Sequence, residues 1–206
     1  MSISAPIVFV VDDELSVRKS LGRLLRAAGY RVEVFASARE FLERGVSDEV
    51  GCLVLDVQMP DLNGLELQRA LEGAEHRLPI IFITGHGDIP TSVRAMKAGA
   101  QDFLSKPFQA KALLDAIERA IEIARERSQK WTESEVIQSR MATLTPRERE
   151  VMLQMIRGAL NKQIAATLGA AEKTIKVHRS RVMRKLQVQS IADLVRLCEK
   201  VGIRVP

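Results

Sequence analysis

The sequence predicts an α/β domain, a doubly wound five-stranded parallel sheet, followed by a smaller all-α domain. Three observations carry this reading. Over roughly the first 125 residues short apolar runs alternate with stretches of helical periodicity, and beyond that point only helical periodicity remains. The charge also changes sign: residues 1–127 carry 16 Lys and Arg against 19 Asp and Glu, net −3, whereas residues 128–206 carry 15 against 7, net +8. A chain of 206 residues can bury two small cores. The basic second half suits a polyanionic partner, with a merely solvated cationic face as the alternative.

The first run, Ile7 to Val11, is short and rich in β-branched residues, which marks a buried strand; it ends in Asp12-Asp13-Glu14. Val17, Leu21, Leu24, Leu25 and Ala28 then recur at helical spacing ahead of Gly29. Val32 to Phe35 reads as the second strand and Ala38 to Arg44 as a helix. Cys52 to Leu55 is the third strand, closed by Asp56 and the Met59-Pro60 turn, and Gly64 to Leu71 follows as a helix. Pro79 to Ile83 is the fourth strand, ending in Thr84-Gly85-His86-Gly87, and the next helix carries Ile89, Val93 and Met96 on one face. A short fifth strand, Gln101 to Leu104, leads into Ser105-Lys106-Pro107, and a last helix presents Leu113, Ile117, Ala120, Ile121 and Ala124. Strands interleaved with helices in this way imply parallel pairing through right-handed crossovers.

In a parallel sheet every strand end lies on one edge, where open α/β folds bind ligands. That edge gathers Asp12, Asp13, Asp56, Thr84 and Lys106 from distant parts of the chain. Three clustered carboxylates repel one another unless a cation joins them, and hard oxygen ligands suit Mg²⁺. Asp56 can then attack a phosphoryl group, with Lys106 neutralising its oxygens and the Thr84 hydroxyl donating to one of them.

The segments VDDE, LDVQMP, TGHGD and DFLSKPF resemble the receiver domain of two-component response regulators, a flavodoxin-like fold, over about residues 5–125. The resemblance implies that Asp56 is the phosphoacceptor, that Asp12, Asp13 and the Gln58 carbonyl join it around Mg²⁺, and that Thr84 and Lys106 are the signalling pair. It further implies a cis Lys106-Pro107 bond, Phe103 as the switch aromatic, and a sensor histidine kinase as donor. The kindred reading as a phosphatase of the haloacid dehalogenase type needs a second carboxylate two residues after the nucleophile, where this chain has Gln58.

Residues 126–142 are polar and free of Gly and Pro, so they read as a helical linker in which Trp131 can pack on either half. From residue 143 the chain is punctuated by caps. Thr145-Pro146-Arg147-Glu148 is a capping box that opens a helix over Val151, Met152, Met155 and Ile156 as far as Gly158. Asn161 is expected to cap a helix over Lys162 to Leu168, closed by Gly169; Glu172 to Leu186 follows, and Ser190 to Asp193 opens the fourth helix. This is a helix-turn-helix arrangement. On Glu172 to Leu186 the residues Ile175, Val182 and Leu186 face inward, while Lys173, Lys176, Val177, Ser180 and Arg184 face outward with Arg181 nearby.

LTPRERE, NKQIAATLG and TIKVHRSRVMRKL resemble the LuxR-type output domain, so residues 143–206 look like a DNA-binding domain and the whole chain like a response regulator of the FixJ/NarL class, close to FixJ-like and styrene- or toluene-pathway regulators. By position, Lys176, Val177 and Ser180 would meet base edges of double-stranded DNA; Lys162, Arg181 and Arg184 are candidates for phosphates. The resemblance implies a homodimer on phosphorylation and RNA polymerase as a further partner. Ala170-Ala171 stand where the family often has a Ser or Thr cap, so the following helix start is expected to fray until a phosphate arrives, a missing cap costing about 0.5–2 kcal/mol. The scattered histidines make His178 a structural residue or phosphate contact rather than a metal ligand. Cys52 and Cys198, without CxxC spacing, read as buried reduced thiols. No apolar run approaches the ~18 residues of a membrane span, and no signal peptide is recognisable, so a cytoplasmic location without membrane contact is expected.

Overall fold

The computed structural model describes residues 5–45, 49–71, 78–85 and 89–203, in two compact units, Met1–Ser128 and Gln129–Pro206. The first unit alternates β1 (Ile7–Val11), α1 (Leu15–Ala27), β2 (Arg31–Phe35), α2 (Ala38–Arg44), β3 (Gly51–Asp56), α3 (Gly64–Ala70), β4 (Ile80–Thr84), α4 (Ile89–Lys97) and β5 (Asp102–Ser105), then enters α5 (Ala110–Ala142). All strand pairs are parallel, in the order β2-β1-β3-β4-β5. The strand order doubles back after β1, as two-sided winding requires.

The continuous apolar runs are divided between two layers by the strand period of two. Ile7, Phe9, Val11, Leu53, Leu55, Ile80 and Phe82 meet α2, α3 and α4 through Ala38, Phe41, Leu67 and Ala95. Val8, Val10, Cys52, Val54, Ile81 and Ile83 meet α1 and α5 through Leu21, Leu25, Leu113, Ala116, Ile117, Ala120 and Ile121. β1, β3 and β4 are buried along their whole length because both faces are covered. The edge strands β2 and β5 are only partly so.

On α4 the apolar stripe of the sequence reading leaves Val93 and Met96 44% and 47% exposed, and Ala95 is the buried residue. The side chain of Ile89 lies outside the described residues, as do His86 and Gly87. α5 runs unbroken through the polar segment to Ala142, so residues 126–142 are helical. No helix among the described residues is long and apolar enough to cross a membrane.

The second unit holds α6 (Pro146–Ile156), α7 (Asn161–Leu168), α8 (Glu172–Leu186) and α9 (Ile191–Lys200). Its core gathers Val151, Met152, Met155, Ile164, Ile175, Val182, Leu186, Leu194 and Cys198, joined by Ile137 and Met141 from the end of α5. The capping boxes at Thr145 and Ser190 are formed in full. Gly169 closes α7 in the left-handed conformation at φ 60°. The cap of α7 corrects the sequence reading: Leu160 is the N-cap residue and Asn161 the first helical one. Leu160 has no side-chain acceptor, so the cap is one-sided, the Gln163 carbonyl taking the Leu160 N–H at 2.7 Å.

Candidate functional site

Parallel register brings the strand ends together. Val11 stands beside Leu55, Asp56 beside Ile83, and Thr84 beside Ser105, so Asp12, Asp56, Thr84 and Lys106 share one rim. Asp12, Asp56 and Thr84 are buried, and Asp13 is exposed. Carboxylate oxygens of Asp12, Asp13 and Asp56 lie within 4.8 Å of one another. Gly64 makes this possible: a Cβ there would stand 2.2 Å from the Asp56 carbonyl oxygen and 3.0 Å from the Phe82 ring. Any larger residue would displace the end of β3.

Lys106 ties the rim. Its Nζ donates to Asp12 Oδ2 at 2.7 Å and to Asp56 Oδ2 at 2.9 Å, and its backbone N–H donates to the Thr84 carbonyl at 2.6 Å. The Lys106-Pro107 bond is cis. Burial raises the pKa of Asp56 above the carboxylate range; the hydrogen bond and charge of Lys106 oppose this, and the Asp12 charge adds to it. For Lys106 burial favours the neutral amine, but its bonds to Asp12 and Asp56 outweigh that and the pKa is raised. The backbone N–H of Gln58 donates to Asp56 Oδ1 at 3.2 Å, and that of Glu14 to Asp12 Oδ1 at 2.9 Å. Both acids are thereby oriented with Oδ2 toward the lysine.

Three carboxylates against one ammonium leave two negative charges, and all the candidate ligand atoms are hard oxygens. The residues fit a divalent cation such as Mg²⁺. Beside them an open cleft of about 560 Å³ is lined by Asp13, Gln58, Met59, Asn63, Thr91 and Arg94. Phe103 is half-buried, its ring centroid 6.3 Å from that of Phe82. One contact escapes sequence reading: the Arg18 guanidinium on α1 donates to the Asp12 carbonyl at 2.6 Å. Nothing but proximity in the fold announces it.

In the second unit α8 turns Ile175, Val182 and Leu186 inward, all fully buried. Lys173, Lys176, Val177, Ser180, Arg181 and Arg184 are exposed on α8, and Lys162 is exposed on α7. Lys176 stands 3.6 Å from Glu172, but both side chains are largely in solvent, so the pair is worth little and yields to a better partner. Ala171 is the N-cap of α8 and makes no side-chain cap bond. The Nδ1 of His178 is buried with no partner among the described residues.

α8 is oriented by a buried charge. Glu148, 2% exposed, accepts from the Thr145 N–H at 2.9 Å and from Lys185 Nζ at 2.6 Å, and Lys185 also reaches the Thr143 carbonyl at 2.8 Å. The Lys185 hydrogen bond, chiefly, lowers the Glu148 pKa from 4.5 to about 2. A depressed pKa means that the stabilisation is complete above the unfolded value and is lost as pH falls through the folded one. Denaturant unfolding at neutral pH is therefore expected to show Glu148→Gln less stable by roughly 2–3 kcal/mol, the gap to the unsubstituted protein closing as pH falls from 4.5 toward 2. A gap independent of pH would refute it.

Residues 8–118 match the response regulator receiver domain, and residues 142–198 match the luxR family of bacterial regulatory proteins. The chain belongs to the LuxR-type response regulators. It is 50% identical over 197 residues to nodulation protein W of Bradyrhizobium diazoefficiens, covering 96% of this chain and 87% of that protein. The solved structure of the response regulator StyR matches with a TM-score of 0.85 at 52% identity, covering 96% of this chain and all of that one. Full-length FixJ from B. japonicum matches with a TM-score of 0.57 at 42% identity, covering 97% of this chain and 98% of that one. The LuxR-type response regulators to which this chain belongs are DNA-binding transcription regulators rather than classical enzymes, so the acidic rim belongs to a receiver domain and the exposed cationic face of α8 to a helix-turn-helix.

Proposed function

We propose that this response regulator takes a single phosphoryl group on Asp56 from the phosphohistidine of a sensor kinase, in the cytoplasm, and that this strengthens its hold on DNA. The functional divisions are a receiver over residues 1–125, a helical linker over 126–142 and a DNA-binding domain over 143–206. Asp56 Oδ attacks phosphorus, the P–N bond breaks, and the departing imidazole takes up a proton. Lys106 follows the charge and pairs with a phosphoryl oxygen, while the Thr84 hydroxyl turns to donate to another. Phe103 fills the space Thr84 leaves. Mg²⁺ held by Asp12, Asp13, Asp56 and the Gln58 carbonyl would neutralise the phosphoryl oxygens when bound. The chain catalyses only its own phosphotransfer and slow dephosphorylation.

The single observation that supports this most is the Lys106 ammonium within 2.9 Å of both Asp12 and Asp56 while its amide holds Thr84. On DNA, Lys176, Val177 and Ser180 read base edges, and Lys162, Lys173, Arg181 and Arg184 hold phosphates. The modified form dimerises on its operator and engages RNA polymerase. Incubation with acetyl phosphate and Mg²⁺ is expected to add one phosphoryl group per chain and to tighten binding to a specific duplex about tenfold or more. Labelling without any change in DNA affinity or oligomeric state would leave the receiver assignment standing and refute the coupling.

A further inference from the structure

Helix α4 is the next element after the strand that carries Thr84, yet its described side chains bury little apolar surface. Among its described side chains only Ala95 is buried, with Val93 and Met96 turned to solvent. Burying that one methyl group contributes little, so the bonds to its backbone groups weigh heavily in the placement of α4. Those at its carboxyl end are held twice over. Gly99, at φ 88°, closes a Schellman pattern in which the Ala100 N–H donates to the Ala95 carbonyl at 3.1 Å and the Gly99 N–H to the Met96 carbonyl at 3.0 Å. From α3, the Gln68 amide adds two further bonds, Nε2 donating to the Ala95 carbonyl at 3.3 Å and to the Ala98 carbonyl at 3.1 Å. Gln68 is only 4% exposed. A buried amide is costly unless both its protons are used, and here both are.

We propose that Gln68 is the positioning residue of α4, a clamp that fixes the carboxyl end of the helix on α3 so that a signal arriving through Thr84 swings its amino-terminal turn about a stationary pivot. The orientation of the exposed Val93, Arg94 and Met96 is then set jointly by Thr84 at one end and Gln68 at the other. The clamp itself is independent of phosphorylation, whereas the pivot rests on the reading of Asp56 as phosphoacceptor.

Amide hydrogen exchange on the full chain separates the two. Gln68→Met keeps the length and removes both donors. In unlabelled protein it is expected to speed exchange at residues 95–100 roughly tenfold, the order of one lost internal hydrogen bond, without speeding exchange in the sheet and with Asp56 labelling changed less than about twofold. Acetyl phosphate treatment of the unsubstituted protein is expected to alter exchange at residues 89–93 and leave residues 95–100 unchanged; in Gln68→Met both ends respond. Gln68→Leu, a second replacement without a donor, should repeat the pattern. Unchanged exchange at residues 95–100 in both variants, or an equal rise across the whole first unit, would overturn the clamp. A protein that takes no label at all would refute the phosphoacceptor reading instead, and the unlabelled comparison would still decide the clamp.

Discussion

Asp56→Asn is expected to abolish labelling by acetyl phosphate, because an amide offers no anionic oxygen to attack phosphorus and the rim loses one of its three carboxylates. Mass spectrometry of the intact variant checks it, and full incorporation would contradict the assignment. Stability moves the other way. Burial holds the Asp56 pKa above the carboxylate range, so the ionised form sits in the fold at a cost, while an asparagine carbonyl can still accept from Lys106. The metal-free variant is therefore expected to melt no lower than the unsubstituted protein. Loss of labelling with an unchanged or higher Tm marks a chemical residue; loss of both would mark a structural one. Lys106→Met should differ, lowering stability at neutral pH by leaving the buried Asp12 and Asp56 carboxylates facing each other.

Lys176→Ala is expected to weaken binding to the specific operator by about ten- to a hundredfold, 1–3 kcal/mol, while changing non-specific binding far less. The side chain is exposed, and Glu172, its charged partner among the described residues, is 3.6 Å away in solvent and competes only weakly with a base edge for its ammonium. Arg184→Ala offers the contrast. A phosphate contact contributes to every sequence alike, so its loss should lower both affinities and reduce the salt slope by about one. Titrations of specific and random duplexes at several salt concentrations distinguish the two. Equal loss on both duplexes for Lys176→Ala would reduce it to a phosphate contact.

Much of the fold is legible because strand ends and caps are written in local residues. Asp12, Asp56, Thr84 and Lys106 each close or follow a short apolar run, and parallel topology alone brings them together. Thr145 and Ser190 announce their helices through Glu148 and Asp193 three residues on. Packing direction is less local. Val93 and Met96 form an apolar stripe, yet α4 seats Ala95 on the sheet, since the space under a helix is set by what lies beneath it. Asn161 is a favoured capping residue, but the turn after Gly158 puts Leu160 at that position. Gln68 and Lys185 were invisible for another reason: each is a polar residue whose partner lies 27 or 37 residues away, and no spacing rule pairs them. The same holds for Gly64, whose missing side chain matters only because the Asp56 carbonyl is there.

Lys106 touches two carboxylates with its tip and Thr84 with its amide. One residue thus senses charge with one end and grips the neighbouring strand with the other. On the proposed reading, an acyl phosphate on Asp56 would change the pull on that lysine, and the change would reach the threonine along the lysine itself and one backbone hydrogen bond. News of such a modification would need no long relay across the sheet, because Asp56 and Thr84 are both held by one residue, Lys106.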